Sequence, residues 1–174
     1  NRAQPDFAPL AARIAQAQAQ AVLIIGSGTT VADGYAALRK AGSTAQLVTL
    51  SKNASSDFIK SLGEQARGVI VSQVFPNERS LAYPLVKEAL ELSKAGGQGD
   101  ISPAMLEGFA AAKVLVEGLR RAGPKPTREK IVTALGNMSH YDLGGLELGY
   151  GPGDRTGLSY VELSIIDADG LFRR

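Results

Sequence analysis

Between residues 6 and 74 the chain repeats one pattern three times: apolar residues at helical spacing, then a short unbroken apolar run. In the first helical stretch Phe7, Leu10, Ala11 and Ile14 share a face, with Asp6 as the expected N-cap and Pro9 tolerated in the first turn. Residues 21–25 (AVLII) have strand length and no polar member, which suits a parallel strand covered on both faces. Residues 26–28 turn the chain into a helix with Val31, Tyr35 and Leu38 inward, and Gly42 is placed to end it. Residues 46–50 predict a second strand. Ser56 is expected to cap a short helix running to Leu62, and residues 68–74 (GVIVSQV) predict a third strand, ended by Pro76. Strands alternating with helices at this spacing imply an α/β fold with a parallel sheet and right-handed crossovers.

The second half breaks the rhythm. From residue 81 to 135 three helices follow one another with no strand between them. The first is expected to bury Leu81, Leu85, Ala89 and Leu92. The second starts at Ser102 with Pro103 in its first turn and carries a stripe of Met105, Phe109, Ala112, Val116 and Leu119. Glu117 and Arg121 form an i,i+4 pair expected on its wet side, and Gly123 stops it. Thr127 caps the third helix, whose face is Ile131, Val132 and Leu135. Extended segments return at residues 145–150 and 158–166, where Val161, Leu163 and Ile165 are expected to point inward. Between them lies a turn-rich connector at 151–157, and Asp169-Gly170 signals a turn near the end. A helix with one apolar stripe must bury it against something. These three have no sheet of their own in the pattern, which predicts a two-lobed protein whose chain crosses between lobes, here without its first half.

Composition excludes several classes. The 19 basic and 17 acidic residues are scattered and leave a net charge of +2, so there is no basic footprint for nucleic acid. There is no cysteine, which removes disulfides, thiolate metal sites and cysteine nucleophiles together. No apolar run reaches the ~18–20 residues that span a bilayer. The chain opens at Asn1 without a signal peptide, read as a processed end or an expression boundary. Gly26-Ser27-Gly28 after a strand resembles the opening of a dinucleotide fingerprint, but the third glycine would fall at Val31, so no cofactor is expected. His140, the only histidine, sits beside Tyr141 in a loop and is read as solvated. Asp167-Ala168-Asp169-Gly170 lacks the downstream glutamate of a calcium loop and is read as a hairpin turn, with no metal.

The segments GVIVSQVFP, LEGFAAAKVLVEGLRRAG, PTREKIVTAL, YDLGGLELGYGPGDRTG and YVELSIIDADGLFRR follow one another in a set order. Together they resemble the carboxyl-terminal half of a type I periplasmic binding protein, of the group like the leucine/isoleucine/valine-binding receptors of ABC transporters. The resemblance is collinear over essentially the whole chain. It implies two doubly wound α/β lobes joined by three crossings, with a small ligand bound between them. By the resemblance, residues 1–74 belong to lobe 2, residues 75–150 to lobe 1 through its helices, and residues 151–174 return to lobe 2. It implies a periplasmic, non-enzymatic protein that delivers a small organic solute to a membrane permease. A ligand-sensing regulator of the same fold and, less favoured, a Rossmann-like enzyme fragment stay open as alternatives.

In open parallel sheets ligands sit at the carboxyl ends of strands. Those ends are Ser27, Gly28 and Thr29, then Ser51 and Lys52, then Phe75; Met105, in the first turn of the long helix, is the candidate from the other lobe. Amides after Gly28 can receive an anion at a helix start. Amino-acid receptors of the family commonly place an acidic side chain just after the second strand. Here Ser51 stands there, and no Asp or Glu occurs between Leu47 and Ser56. A carboxylate without an ammonium fits this loop better than an amino acid. Helices left uncovered are expected to fold back over the partial sheet or, preferentially, to pair two copies in a segment-exchanged homodimer.

Overall fold

The computed structural model describes residues 5–173; Asn1, and Arg174 at the end of the last quoted segment, lie outside them. The described residues form two compact units, one of residues 5–73 with 162–173 and one of Val74–Val161.

The first unit follows the predicted alternation. Helix α1 (Ala8–Gln16) leads to strand β1 (Ala21–Leu23), α2 (Gly28–Lys40), β2 (Gln46–Thr49), α3 (Ser56–Leu62) and β3 (Ile70–Gln73). The three strands pair in parallel, with Leu23 beside Val48 and Val48 beside Ile70. Gly42 follows α2 at φ +81°, the left-handed conformation that an L side chain resists. Two caps differ from expectation. Ser55, one residue earlier than predicted, caps α3 by accepting from the Phe58 N–H at 3.2 Å. Phe7 holds the N-cap position of α1, where Asp6 Oδ1 accepts from the Ala8 N–H.

A strand from near the end of the chain completes this sheet. Residues Glu162–Ile166 pair antiparallel with β3, and Phe172–Arg173 pair antiparallel with them in turn. The phase is the reverse of the prediction: Ser164 and Ile166 are buried, whereas Leu163 and Ile165 face outward. Register decides it, because Val71, buried under the helices, pairs with Ser164, and Ile70 pairs with Ile165. Alternation by itself carries no phase. Val161 precedes the strand and is exposed. Asp167 Oδ1 shapes the turn by accepting from the Asp169 and Leu171 amides.

The second unit contains α4 (Pro84–Ala95), α5 (Pro103–Ala122), α6 (Arg128–Gly136) and three short antiparallel strands, β4 (Tyr141–Asp142), β5 (Glu147–Gly151) and β6 (Asp154–Gly157). The strands from the end of the first unit are then β7 (Glu162–Ile166) and β8 (Phe172–Arg173). The helices therefore do have strands of their own. Residues 151–157, predicted as a connector, form half of a hairpin that turns at Gly153, φ +81°. That hairpin groups residues 151–161 with the second unit.

The core of this unit is Leu85, Val86, Ala89, Leu106, Ala110, Val114, Met138, Leu143 and Leu148. Three predicted faces are corrected. Pro84 in the first turn makes α4 begin after Leu81, which is exposed, as is Leu92. Val132 of α6 is exposed, while Ile131 and Leu135 are half-buried. On α5 the buried side is Leu106, Ala110, Val114 and Gly118, and the predicted stripe leaves Met105, Val116 and Leu119 exposed. This helix is apolar on two sides, and periodicity picks the one its own unit does not cover. Ser102 and Thr127 cap as expected, accepting from the Met105 and Lys130 amides. Glu117 is buried, not wet. It accepts from Arg120 Nε at 2.8 Å and from Arg121 Nε at 2.6 Å, and these guanidinium hydrogen bonds draw its carboxyl down to about 2.

Candidate functional site

The carboxyl ends of β1 and β2 are side by side because the strands are adjacent and parallel. After β1 the chain enters α2 through Ser27, whose side chain caps no amide. The first amide engaged in the helix is that of Val31, donating to Ser27 C=O at 3.2 Å. The amides of Gly28, Thr29 and Thr30 precede it, at the positive end of the helix dipole. A Cβ built on Gly28 would meet nothing within 4 Å, so the surface there is open.

After β2, Ser51, Lys52 and Asn53 form a single 3₁₀ turn. Lys52 is exposed and Ser51 half-exposed. Asn53, which sequence reasoning passed over, is buried and holds the two loops together. Its Nδ2 donates to Gly26 C=O at 3.3 Å and to Thr49 Oγ1 at 2.9 Å, and Thr49 Oγ1 donates to Ile24 C=O at 3.0 Å. Beneath them Tyr35 donates its phenol to Val48 C=O; burial pushes this phenol up to about 12, against a smaller lowering by its contact with Thr49.

A third group closes this edge. Gln73, the last residue of β3, is 4% exposed, and its Nε2 is a buried donor without an acceptor. An unmatched buried donor costs about 1–3 kcal/mol, so its presence at a strand end is informative. No sequence signal marked it, because a glutamine in a strand looks the same whether or not it is satisfied.

Ser27, Gly28, Thr29, Ser51 and Lys52 thus share one edge of the first unit. Phe75 and Met105 belong to the second unit. Phe75 is half-buried against that unit's core, and Met105 is 43% exposed in the first turn of α5. Also in the second unit, Glu78 is 6% exposed with Oε2 unpartnered, and desolvation raises its carboxyl above the usual range. An open apolar groove of about 620 Å³ lies in the second unit between α5, α6 and the β5–β6 hairpin. His140 pairs with Glu147 on an exposed hairpin and has no part in this edge. Among the described residues no group of three or more His, Asp or Glu side chains could hold a metal ion, and no helix is long and apolar enough to cross a membrane.

Residues 1–169 match the sequence profile of the family described as periplasmic binding protein. The chain belongs to this family. Among solved structures it is similar to a substrate-binding periplasmic protein from Ralstonia solanacearum, with 33% identity and a TM-score of 0.77 over 92% of this chain and 49% of that one. It is likewise similar to an extracellular ligand-binding receptor from Verminephrobacter eiseniae, with 31% identity and a TM-score of 0.78 over 100% of this chain and 49% of the other. A possible leucine/isoleucine/valine-binding protein from Rhodopirellula baltica matches at 26% identity and a TM-score of 0.79, over 89% of this chain and 42% of that one. No curated protein sequence matches. The chain spans about half the length of these solved relatives. Its α/β fold is that of the type I periplasmic binding proteins, and these relatives carry the names of binding proteins and receptors rather than of enzymes.

Proposed function

We propose that the chain is part of the solute-binding component of an ABC importer, periplasmic and non-enzymatic, whose solute is a small organic carboxylate. Its partner would be a membrane permease. The first unit is read as lobe 2 and the second as lobe 1. The observation that carries the choice of solute is the donor set at the strand ends of the first unit. Ser27 and Thr29 offer hydroxyls, the first turn of α2 offers amides, Gln73 offers an unused Nε2, and Lys52 offers a cation. No Asp or Glu lies in residues 21–31 or 47–56 to receive an ammonium. Loops after β1 and β2 that offer donors and no carboxylate match an acid and leave an amino acid's ammonium unpaired there, which a charged group tolerates poorly.

Ser51→Glu tests the reading. The new carboxylate repels an anion and can pair with an ammonium, and a charge-assisted hydrogen bond is worth about 1.5–3 kcal/mol. Calorimetry with 4-methylpentanoate and with leucine, in the full-length wild-type and variant proteins, should show preference shifting from the acid toward the amino acid. Unchanged relative affinities would show that this loop does not face the solute.

A further inference from the structure

The amino ends of the parallel strands, opposite the solute edge, hold a polar hollow of about 280 Å³. It lies wholly in the first unit, where the chain enters β1, β2 and β3. Gln20 precedes β1, Thr44 and Gln46 stand at the start of β2, and Arg67 and Gly68 lead into β3. Arg39 reaches it from the last turn of α2. That helix begins at Gly28 on the solute edge, and its 13 residues at ~1.5 Å each put its two ends about 20 Å apart. The hollow is small for an organic ligand and ample for a compact anion.

Its acceptors are engaged and its donors are left open. Arg39 Nη1 donates to Ser43 C=O at 2.7 Å and to Ala45 C=O at 2.9 Å, which fixes the guanidinium plane. Nε and Nη2 keep their N–H groups for another partner. Gln46 Nε2 donates to Leu47 C=O at 3.0 Å and to Gly68 C=O at 2.6 Å. The last carbonyls of α2 are engaged too: those of Ala37, Leu38 and Arg39 accept from the Ala41, Ser43 and Gly42 amides. The negative end of the helix is thus capped rather than bare. Arg67 is exposed and has no ion-pair partner among the described residues. Among the described residues no Asp or Glu lines the hollow. The Gly68 amide donates to Ile166 C=O, which brings Asp167 near, but its carboxylate accepts from the Asp169 and Leu171 amides and from Arg173.

Two guanidinium groups lining one concavity repel each other unless an anion joins them. A carboxylate offers two oxygens, which a single guanidinium fork already matches. Two forks, with the Thr44 hydroxyl and the Gln20 amide beside them, call for more oxygens and more charge. A phosphate monoester supplies three acceptor oxygens and a charge of about −1.5 to −2 at neutral pH. We propose that this hollow is a second ligand site, in which Arg39 and Arg67 take a phosphoryl group at the far end of α2 from the solute. The proposal rests on side chains of the first unit alone, not on the solute.

Amide-resolved NMR of the full-length protein tests it, titrating inorganic phosphate against sodium chloride of equal ionic strength. Phosphate should shift the Thr44 and Gly68 amides saturably, and sodium chloride should not. Arg67 is exposed and unpaired, so Arg67→Ala leaves the fold alone and should weaken the phosphate response ~10-fold or more, as loss of a charge-assisted pair does. Arg39→Lys keeps the charge, loses the fork and should weaken it as well. Lys60→Ala, which removes an exposed cation from α3, should leave it unchanged. Vesicles of phosphatidylcholine with and without phosphatidic acid identify the source of the phosphoryl group. Arg67-dependent retention on the acidic vesicles makes it a lipid headgroup. No retention, with the phosphate shifts intact, makes it a free phosphate or a soluble phosphate ester. The proposal is overturned if neither phosphate nor the acidic vesicles show Arg67-dependent binding, if sodium chloride reproduces the shifts, or if they are confined to the Gly28 and Thr29 amides. None of these outcomes depends on which solute binds at the opposite edge.

Discussion

Asn53 donates to the carbonyl of Gly26, 27 residues earlier, and so fixes the loop after β2 to the loop after β1. Both loops carry the proposed solute-facing residues, so a buried amide that faces no solute sets their spacing. Asn53→Ala removes both of its hydrogen bonds and leaves Thr49 Oγ1 and the Gly26 carbonyl to find other partners. The expected cost is about 1–3 kcal/mol of stability, read from the denaturant midpoint of the 174-residue chain. A change within ~0.5 kcal/mol, the usual surface range, would show that the loops hold their spacing without it.

Glu117 predicts an acid dependence. Its carboxyl is held down to about 2 by Arg120 and Arg121, against an ordinary value near 4.5 in the unfolded chain. A depressed folded-state value contributes stability that is present above pH 4.5 and is lost as the pH falls toward 2. Glu117→Gln should therefore lower Tm at pH 7, with the difference from wild type shrinking between about pH 4.5 and 2. A constant difference across that window would mean that the carboxylate's charge is not what Arg120 and Arg121 require.

Tyr35 predicts the alkaline limit. Burial raises its phenol from 10 to about 12, so the folded state keeps a proton that the unfolded chain gives up. Stability from this group is intact below pH 10 and falls between pH 10 and 12. Tyr35→Phe should cost about 0.5–1.5 kcal/mol at pH 7 for the lost bond to Val48 and should flatten the alkaline decline. A decline as steep in Tyr35→Phe as in wild type would assign it to other groups.

Much of the first unit was legible because each βα step carries its own signals: an apolar run, a glycine turn, a helical stripe. What failed there was a phase, at Leu163 and Ile165, where the alternation is plain but only pairing with β3 says which side is covered. In the second unit α5 shows two apolar sides, and nothing local says that Leu106, Ala110 and Val114 are the ones its own unit buries. The glycines at 151, 153 and 157 suggested a connector, although together they shape a tight hairpin. At the candidate site, Ser27–Thr29 and Ser51–Lys52 follow from strand ends alone. Asn53 and Gln73 do not, since their importance lies in partners that are long-range or missing.

Gly144 offers a test of the second unit's packing. It sits at φ +110°, and a Cβ there would lie 2.6 Å from the Leu85 backbone nitrogen, which donates to Gly144 C=O. Neither backbone can yield without breaking the start of α4. Gly144→Ala should cost about 2–4 kcal/mol, from strain and overpacking together. A loss below ~1 kcal/mol would mean that this turn does not approach α4 so closely.

The central claim is that the strand ends of the first unit receive a carboxylate. Amide-resolved NMR of the 174-residue chain, titrated with 4-methylpentanoate and separately with leucine, tests it most directly and detects binding too weak for calorimetry. The acid should produce saturable shifts at the Gly28, Thr29 and Lys52 amides and at the Gln73 side-chain amide, with leucine producing weaker ones at the same positions. Shifts centred elsewhere, or equal responses to acid and amino acid, would contradict the account.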